Sequence, residues 1–104
     1  MEATDKAYTD SLKLLGDFWT LRIIGALNEH AQRFCDLQRD IDNCNPVTLT
    51  NRLKRLEEAG LIHREAAIDD SHCVTYSLTK RGHQAVPVVA AIDSFASRAR
   101  ITTV

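Results

Sequence analysis

The segment from Asn45 to Gly60, Asn-Pro-Val-Thr-Leu-Thr-Asn-Arg-Leu-Lys-Arg-Leu-Glu-Glu-Ala-Gly, constrains the fold more tightly than any other part of the chain. It reads as a helix over about 46–59 with both ends marked. Asn45 can accept hydrogen bonds from the orphan N–H groups of the first turn, and Pro46 occupies the first helical position, where a missing N–H does no harm. Leu49, Leu53 and Leu56 recur at helical spacing and form one apolar stripe. Gly60 follows the last turn, where a left-handed residue often closes a helix. The face opposite the leucines carries Val47, Thr48, Asn51, Lys54 and Arg55, with Arg52 on its flank. An ordinary amphipathic surface helix has the same leucine stripe and charged back, so the rest of the chain must decide what this one is for.

Upstream, residues 1–16 read as a helix that ends at Gly16. Asp17 is placed to cap a second helix running from Phe18 or Trp19 to about Asn28. The second helix holds Phe18, Trp19, Leu21, Ile23, Ile24, Ala26 and Leu27, and a helix apolar on nearly all sides is usually central to a core. Arg33 to Ile41 forms a short amphipathic helix with Phe34, Leu37 and Ile41 inward, and Asn43-Cys44-Asn45-Pro46 is a turn by composition. After Gly60 the period changes. Leu61-Ile62 and Val74-Thr75-Tyr76-Ser77-Leu78 read as strands, the second alternating Val, Tyr and Leu against Thr and Ser. Asp69-Asp70-Ser71-His72 forms the polar hairpin tip between them. Thr79 is placed to cap a last helix from Lys80 to about Ala99, kinked at Pro87. Short helix, turn, longer helix and hairpin in this order give a fold that is mainly α with a small β-hairpin wing (α+β), a winged helix-turn-helix. With 104 residues the chain is expected to form one domain, residues 1–104, with dimerisation helices at its two ends.

The formal net charge is −1, so the chain has no global basic signature. The charge is uneven, however. Residues 46–64 hold Arg52, Lys54, Arg55 and Arg64 against Glu57 and Glu58, and a local field matters more at a groove than the total. No run is apolar for long enough to span a bilayer, and residues 1–10 are polar, so no membrane association or secretory signal is expected and the cytoplasm is the default location. Cys35, Cys44 and Cys73 are odd in number and widely spaced, which fits neither a disulfide framework nor a zinc-ribbon site. His72, Cys73 and His63 are too few and too loosely placed for a metal centre, and no metal or other cofactor is expected. Nucleophile elbows, phosphate loops and helical zinc-protease motifs are missing, and the chain is not expected to be an enzyme.

The ordered set Leu15-Gly16-Asp17-Phe18-Trp19-Thr20-Leu21, Arg33-Phe34-Cys35-Asp36-Leu37, Asn45-Pro46-Val-Thr-Leu49-Thr50-Asn-Arg52-Leu53-Lys-Arg-Leu56-Glu57, Gly60-Leu61-Ile62 and Tyr76-Ser77-Leu78-Thr79, with Gly82 and Pro87, resembles the HxlR-type family of bacterial transcriptional regulators, relatives of the MarR group. The likeness runs from about Tyr8 to Phe95. It implies a homodimer, joined through the terminal helices, that binds palindromic operators in double-stranded DNA. Many members place a sensing cysteine near the position of Ala7, and this chain has none there. Where the family often has a basic residue at the start of the second wing strand, this chain has Cys73. Its wing tip carries Asp69 and Asp70, which phosphate would repel, and its recognition helix begins with Val47 and Thr48 in place of bulkier or basic residues.

Candidate DNA contacts follow. Thr48 and Asn51 are expected at base edges, and Pro46 and Thr50 lie beside them at the helix start. Arg52 is expected on a phosphate or a guanine edge, its alternative being a salt bridge to nearby acids. Lys54 and Arg55 are expected on phosphates. Arg33 is a phosphate clamp or half of a surface ion pair, and Ser71 or His72 makes the wing contact. Leu12, Leu15, Val86, Val89, Ile92 and Phe95, with Val88, are expected at the dimer interface. Cys44, near the positive end of the recognition helix, is expected to be the most reactive thiol and the candidate redox residue, with Cys35 buried. Control by an unidentified small-molecule effector at the dimer interface, or by no ligand, stands as the alternative. A winged-helix protein-interaction module without specific DNA binding is the other functional class.

Overall fold

The structure, a computed structural model, describes residues 2–66 and 74–102, with side chains at 5–66 and 74–98. Helix α1 (Glu2–Leu15) is followed by α2 (Phe18–Glu29), the two-residue strand β1 (Gln32–Arg33), α3 (Phe34–Asp40) and α4 (Pro46–Glu58). Strands β2 (Ile62–Ala66) and β3 (Val74–Leu78) come next, then the single turn α5 (Lys80–His83) and the long α6 (Val86–Thr102). The hairpin tip Asp69-Asp70-Ser71-His72 and Cys73 lie outside the described residues.

α2 is the hub of the core. Ile23, Ile24 and Leu27 are buried on it, and it packs against α1, α3, α4, α6 and β3. Leu37 and Ile41 from the α3 region and Leu49, Leu53 and Leu56 from α4 close around it, with Leu61, Ile62 and Ala85 completing the cluster. The apolar density of α2 and the leucine stripe of α4 thus meet in one core. Phe18 is the exception on α2. It is exposed, with the Trp19 ring edge-on to it at 4.8 Å and the Arg22 guanidinium 5.7 Å above its centroid.

The sheet is antiparallel with order β1-β3-β2. Gln32 pairs with Tyr76 and Arg33 with Thr75 on one side of β3; Ile62 pairs with Leu78 and Ala66 with Val74 on the other. The pairing with β3 extends β2 well past the Leu61-Ile62 pair that periodicity marks. β1 was not expected, since two residues carry no readable period. Its Gln32 is buried, and the side-chain amide donates to the Ala26 carbonyl at 3.2 Å and to Asp40 Oδ2 at 3.0 Å, so the buried polar group is satisfied.

The C-terminal segment corrects the sequence expectation. The single kinked helix over 80–99 is two helices, with Gln84 and Ala85 as a turn between them. Thr79 does cap α5, its hydroxyl accepting from the Gly82 N–H and donating to the Gly60 carbonyl. Gly82 sits against the Leu61 carbonyl, where a Cβ would collide with backbone, and Ala85 is tucked into the core. These two anchors turn the chain before α6 begins. Pro87 is then the second residue of α6, in a first turn that has no use for its missing N–H, and not in the interior of a helix where it would kink one.

Candidate nucleic-acid interface

The turn before α4 is a fixed piece of backbone. Asp42 and Asn43 adopt φ values of 63° and 55°, the left-handed region that short Asx side chains tolerate better than most residues. Arg22 of α2 donates to Asp42 Oδ2 at 2.8 Å, the Asn43 N–H donates to the Gln38 carbonyl at 2.8 Å, and Gln38 Nε2 donates to the Cys44 carbonyl at 2.8 Å. Arg22 of α2 and Gln38 of α3 therefore hold the turn that leads into the recognition helix. Asn45 caps it as its position implied, Oδ1 accepting from the N–H groups of Val47 at 2.8 Å and Thr48 at 3.3 Å. Gly60, at φ 79°, closes the other end.

Rotation of α4 about its axis follows from what it buries. With Leu49, Leu53 and Leu56 inward, Pro46, Val47, Thr50, Asn51, Lys54 and Arg55 are exposed and Thr48 is half-buried. Val47 is 68% exposed, an apolar group held in water at the start of a helix. Asn51 and Lys54 stand beside it on the outward face. A short amide and an aliphatic group near the helix start, with a cation further along, suit a groove: base edges are read by the first and phosphates by the second.

Two arginines are placed differently from expectation. Arg52 does not face outward. Its Nε donates to Asp17 Oδ2 at 2.8 Å and its Nη2 to Asp17 Oδ1 at 3.2 Å, a bidentate pair with side chains 26% and 23% exposed. Asp17 Oδ2 also accepts from the backbone N–H and the hydroxyl of Thr20, both at 2.9 Å, and so caps α2. The Arg52 hydrogen bond is the main reason the Asp17 carboxyl lies well below the ordinary 3.8, at about 2; burial opposes it and the Thr20 bonds reinforce it. Asp17 in turn pushes the Arg52 guanidinium further up. In the free chain Arg52 thus makes the salt bridge that was the alternative to its expected phosphate or guanine contact. Arg55, though exposed, directs Nη2 to the Lys13 carbonyl in the last turn of α1 at 3.2 Å, satisfying a C-terminal carbonyl that the helix cannot. Arg33 pairs with Asp36, Nε to Oδ2 at 3.4 Å, and Arg39 with the same residue at 2.8 Å. Ser71 and His72, the expected wing contacts, lie outside the described residues.

The thiols exchange places relative to expectation. Cys44 is 1% exposed, and burial pushes its thiol up; the charge of Arg52 pulls it down and that of Asp17 pushes it up again. Its Sγ points to the Asn45 carbonyl at 3.6 Å. Burial in the core outweighs the helix-terminus field that was expected to lower the pKa of this thiol and make it the most reactive. Cys35, next to Phe34 but about 100° round α3 from it, is exposed. The sequence reading missed the second role of Asp17, and the signal for it was an acid just before α2 matched by an arginine on the flank of α4.

Comparison with known proteins agrees with this geometry. Residues 14–102 match the model of the HxlR-like helix-turn-helix family. An uncharacterised HTH-type transcriptional regulator of Escherichia coli, YtfH, is 37% identical over 78% of this chain and 64% of its own. Another from Synechocystis is 33% identical over 81% of this chain and 62% of its own. The chain therefore spans less than two thirds of each of these relatives. A putative MarR-family transcriptional regulator from Porphyromonas gingivalis superposes with a TM-score of 0.80 at 30% identity, covering 86% of this chain and 88% of that one. By fold, by the element that carries the candidate contacts and by this match, the chain belongs to the HxlR-like helix-turn-helix family, a family of transcriptional regulators and not of enzymes.

Proposed function

We propose that the protein is a homodimeric regulator that binds a palindromic operator in double-stranded DNA, with α4 of each protomer in the major groove. The observation that carries this reading is the outward face of α4: Val47, Asn51 and Lys54 are exposed together on a helix whose buried face, cap and preceding turn are all fixed. Asn51 and Thr48 read base edges, Pro46 and Thr50 shape the helix start against the backbone, and Lys54 meets phosphate. Arg55 reaches phosphate with the guanidinium N–H groups that Lys13 does not take, and Arg33 does so from the start of α3.

A second copy fits the other side. Leu12, Ile92 and Phe95, with Tyr8 and Val88, are exposed on α1 and α6. Leu15, Val86 and Val89 are half-buried against the protomer's own core and would form the inner edge of the interface. The Cα radius of gyration is 15.3 Å, against about 13 Å for a compact chain of this length. The open shape and the exposed apolar groups support pairing through the terminal helices. Two recognition helices about 34 Å apart would then fit successive major grooves. No helix among the described residues is long and apolar enough to cross a membrane, so the apolar face of α6 is read as a protein contact.

The test is selection of duplexes by the purified protein from a random-sequence library, followed by anisotropy titration with the enriched DNA and light scattering of the free protein. Enrichment of a two-fold symmetric site, bound by a particle of twice 11.7 kDa, supports the reading. Binding that ignores sequence supports the protein-interaction module instead.

A further inference from the structure

Arg52 and Asp17 lie 35 residues apart in the chain, and their pair is the most enclosed of the ion pairs among the described residues. Three features set it apart from a chance surface contact. It is bidentate, and a guanidinium fork on a carboxylate fixes direction as well as distance. Its carboxylate also caps α2, so the start of α2 and the middle of α4 share one group. And Arg52 precedes Leu53 and follows Asn51, so it stands on the flank between the buried stripe and the outward face.

A stripe of three leucines determines which face of α4 is buried, but aliphatic groups tolerate small rotations. A rotation of about 10° moves a side-chain tip some 5–6 Å from the helix axis by about 1 Å, which is enough to spoil a hydrogen bond. The fork resists that rotation. Three residues further on, Arg55 holds the Lys13 carbonyl at the end of α1. The recognition helix is therefore tied at two successive points to the α1–α2 junction, the five residues from Lys13 to Asp17 that include Gly16.

We propose that Asp17 is a positioning residue for DNA recognition: it sets the rotational phase of α4 through its bidentate pair with Arg52, and Arg52 serves this latch and not a phosphate. The inference rests on the operator-binding reading above. It assigns a role in recognition to a residue that lies off the DNA-facing surface, and it removes one cation from the phosphate contacts.

The experiment compares the wild-type protein with Asp17→Asn, Arg52→Lys, Arg52→Ala and Asp17→Asn/Arg52→Ala. The probes are the best duplex selected by the wild type and a scrambled duplex of the same length. Asparagine caps helices about as well as aspartate, so Asp17→Asn keeps the α2 cap while losing the charge and the fork. Acting through position alone, it should weaken binding to the selected duplex by roughly three- to thirtyfold. Binding to the scrambled duplex should change little, because phosphate contacts made by other residues supply it. The slope of log affinity against log salt should stay as in the wild type for every variant. Arg52→Lys, which keeps charge but not the fork, should resemble Asp17→Asn, and the double variant should lose no more than the worse single variant. Should Arg52→Ala fail to fold, Arg52→Lys and Asp17→Asn carry the same comparison.

Two results overturn the inference alone: selective binding by Asp17→Asn equal to the wild type, or a salt slope flattened by about 1.8 in Arg52→Ala, the value for one lost phosphate contact per protomer of a dimer. A wild-type protein that selects no duplex overturns the operator-binding reading and takes this inference with it.

Discussion

The two sides of this molecule are finished differently. On the side of α2, α3 and α4, polar side chains reach across the fold: Arg22 to Asp42, Gln32 to Ala26 and Asp40, Gln38 to Cys44, Arg52 to Asp17 and Arg55 to Lys13. On the side of α1 and α6, large apolar groups stand in water, Phe95 at 71% exposure and Leu12 at 54%. The ties that α1's side chains make within the helix are short-range, Lys6 to Asp10 and Ser11 to Ala7. A surface braced by polar ties keeps its shape without a partner and can serve as a template for a polar, rigid one. A surface of exposed apolar groups is complete only when something covers it, and in the proposed dimer a second copy of the same surface would do so by two-fold symmetry.

The largest effect should come from spoiling the apolar side. Ile92→Glu/Phe95→Glu places two charges per protomer where the copies are expected to meet. Both residues are largely exposed in the protomer, so the fold should survive. Light scattering should report 11.7 kDa in place of twice that value. Affinity for the selected duplex should fall by about a hundredfold or more, the avidity lost when two sites no longer act together. A dimer that persists in this variant would mean that the copies meet elsewhere.

The two cysteines among the described residues, Cys35 and Cys44, sharpen the comparison, since both lie on the braced side. Cys35 is exposed and Cys44 is sealed under the turn, its thiol pushed up by burial. Alkylation of the folded protein at neutral pH, mapped by peptide mass, should modify Cys35 at least about tenfold faster than Cys44. Equal rates would show that the turn opens readily and that the bracing is weaker than its hydrogen bonds suggest.

On the outward face of α4 the expected effects are smaller and differ in kind. Lys54→Ala should weaken binding to selected and scrambled duplexes alike and flatten the salt slope by about 1.8 for a dimer. Asn51→Ala should leave the slope alone and relax the preference at one position of each half-site by about 1–3 kcal/mol. Anisotropy titrations against single-base variants of the site, at several salt concentrations, separate the two. If both substitutions act alike, α4 does not enter the groove by this face.

What could be read in the sequence was what neighbours along the chain decide. Asn45, Pro46, the leucine stripe and Gly60 mark α4 by local rules, and the structure places the helix within a residue of the range they imply. The apolar load of α2 and the alternation of β3 were equally plain. Features decided by distant partners were not legible. β1 exists because Gln32 and Arg33 meet Tyr76 and Thr75. The break before α6 follows from Gly82 lying against the Leu61 carbonyl, 21 positions earlier. The intramolecular partners of Arg52 and Arg55, Asp17 and the Lys13 carbonyl, are 35 and 42 residues away, so nothing local in the sequence marked them. Cys35 is a different case: its angle from Phe34 on the helical wheel already pointed it outward, and proximity to an apolar residue in sequence was the wrong guide.

The smallest effect tests the bracing through its acid. Asp17 has a carboxyl at about 2 in the folded protein against an ordinary 3.8. Because the folded value is the lower one, the unfolded chain takes up the proton first as pH falls. The stability this group contributes is therefore full above about pH 5, declines steeply below about pH 4, is mostly lost by about pH 2 and is gone near about pH 1; the shift sets its size at about 2 kcal/mol. The comparison is best made in the Ile92→Glu/Phe95→Glu background, so that dissociation does not enter the transition. There, Asp17→Asn should lower the melting temperature near neutral pH, and the gap to its parent should close progressively between pH 4 and pH 2. A gap that stays constant with pH would mean that the Arg52 bridge adds nothing beyond the cap that asparagine retains. The braced side would then be held by its leucines and its turn alone.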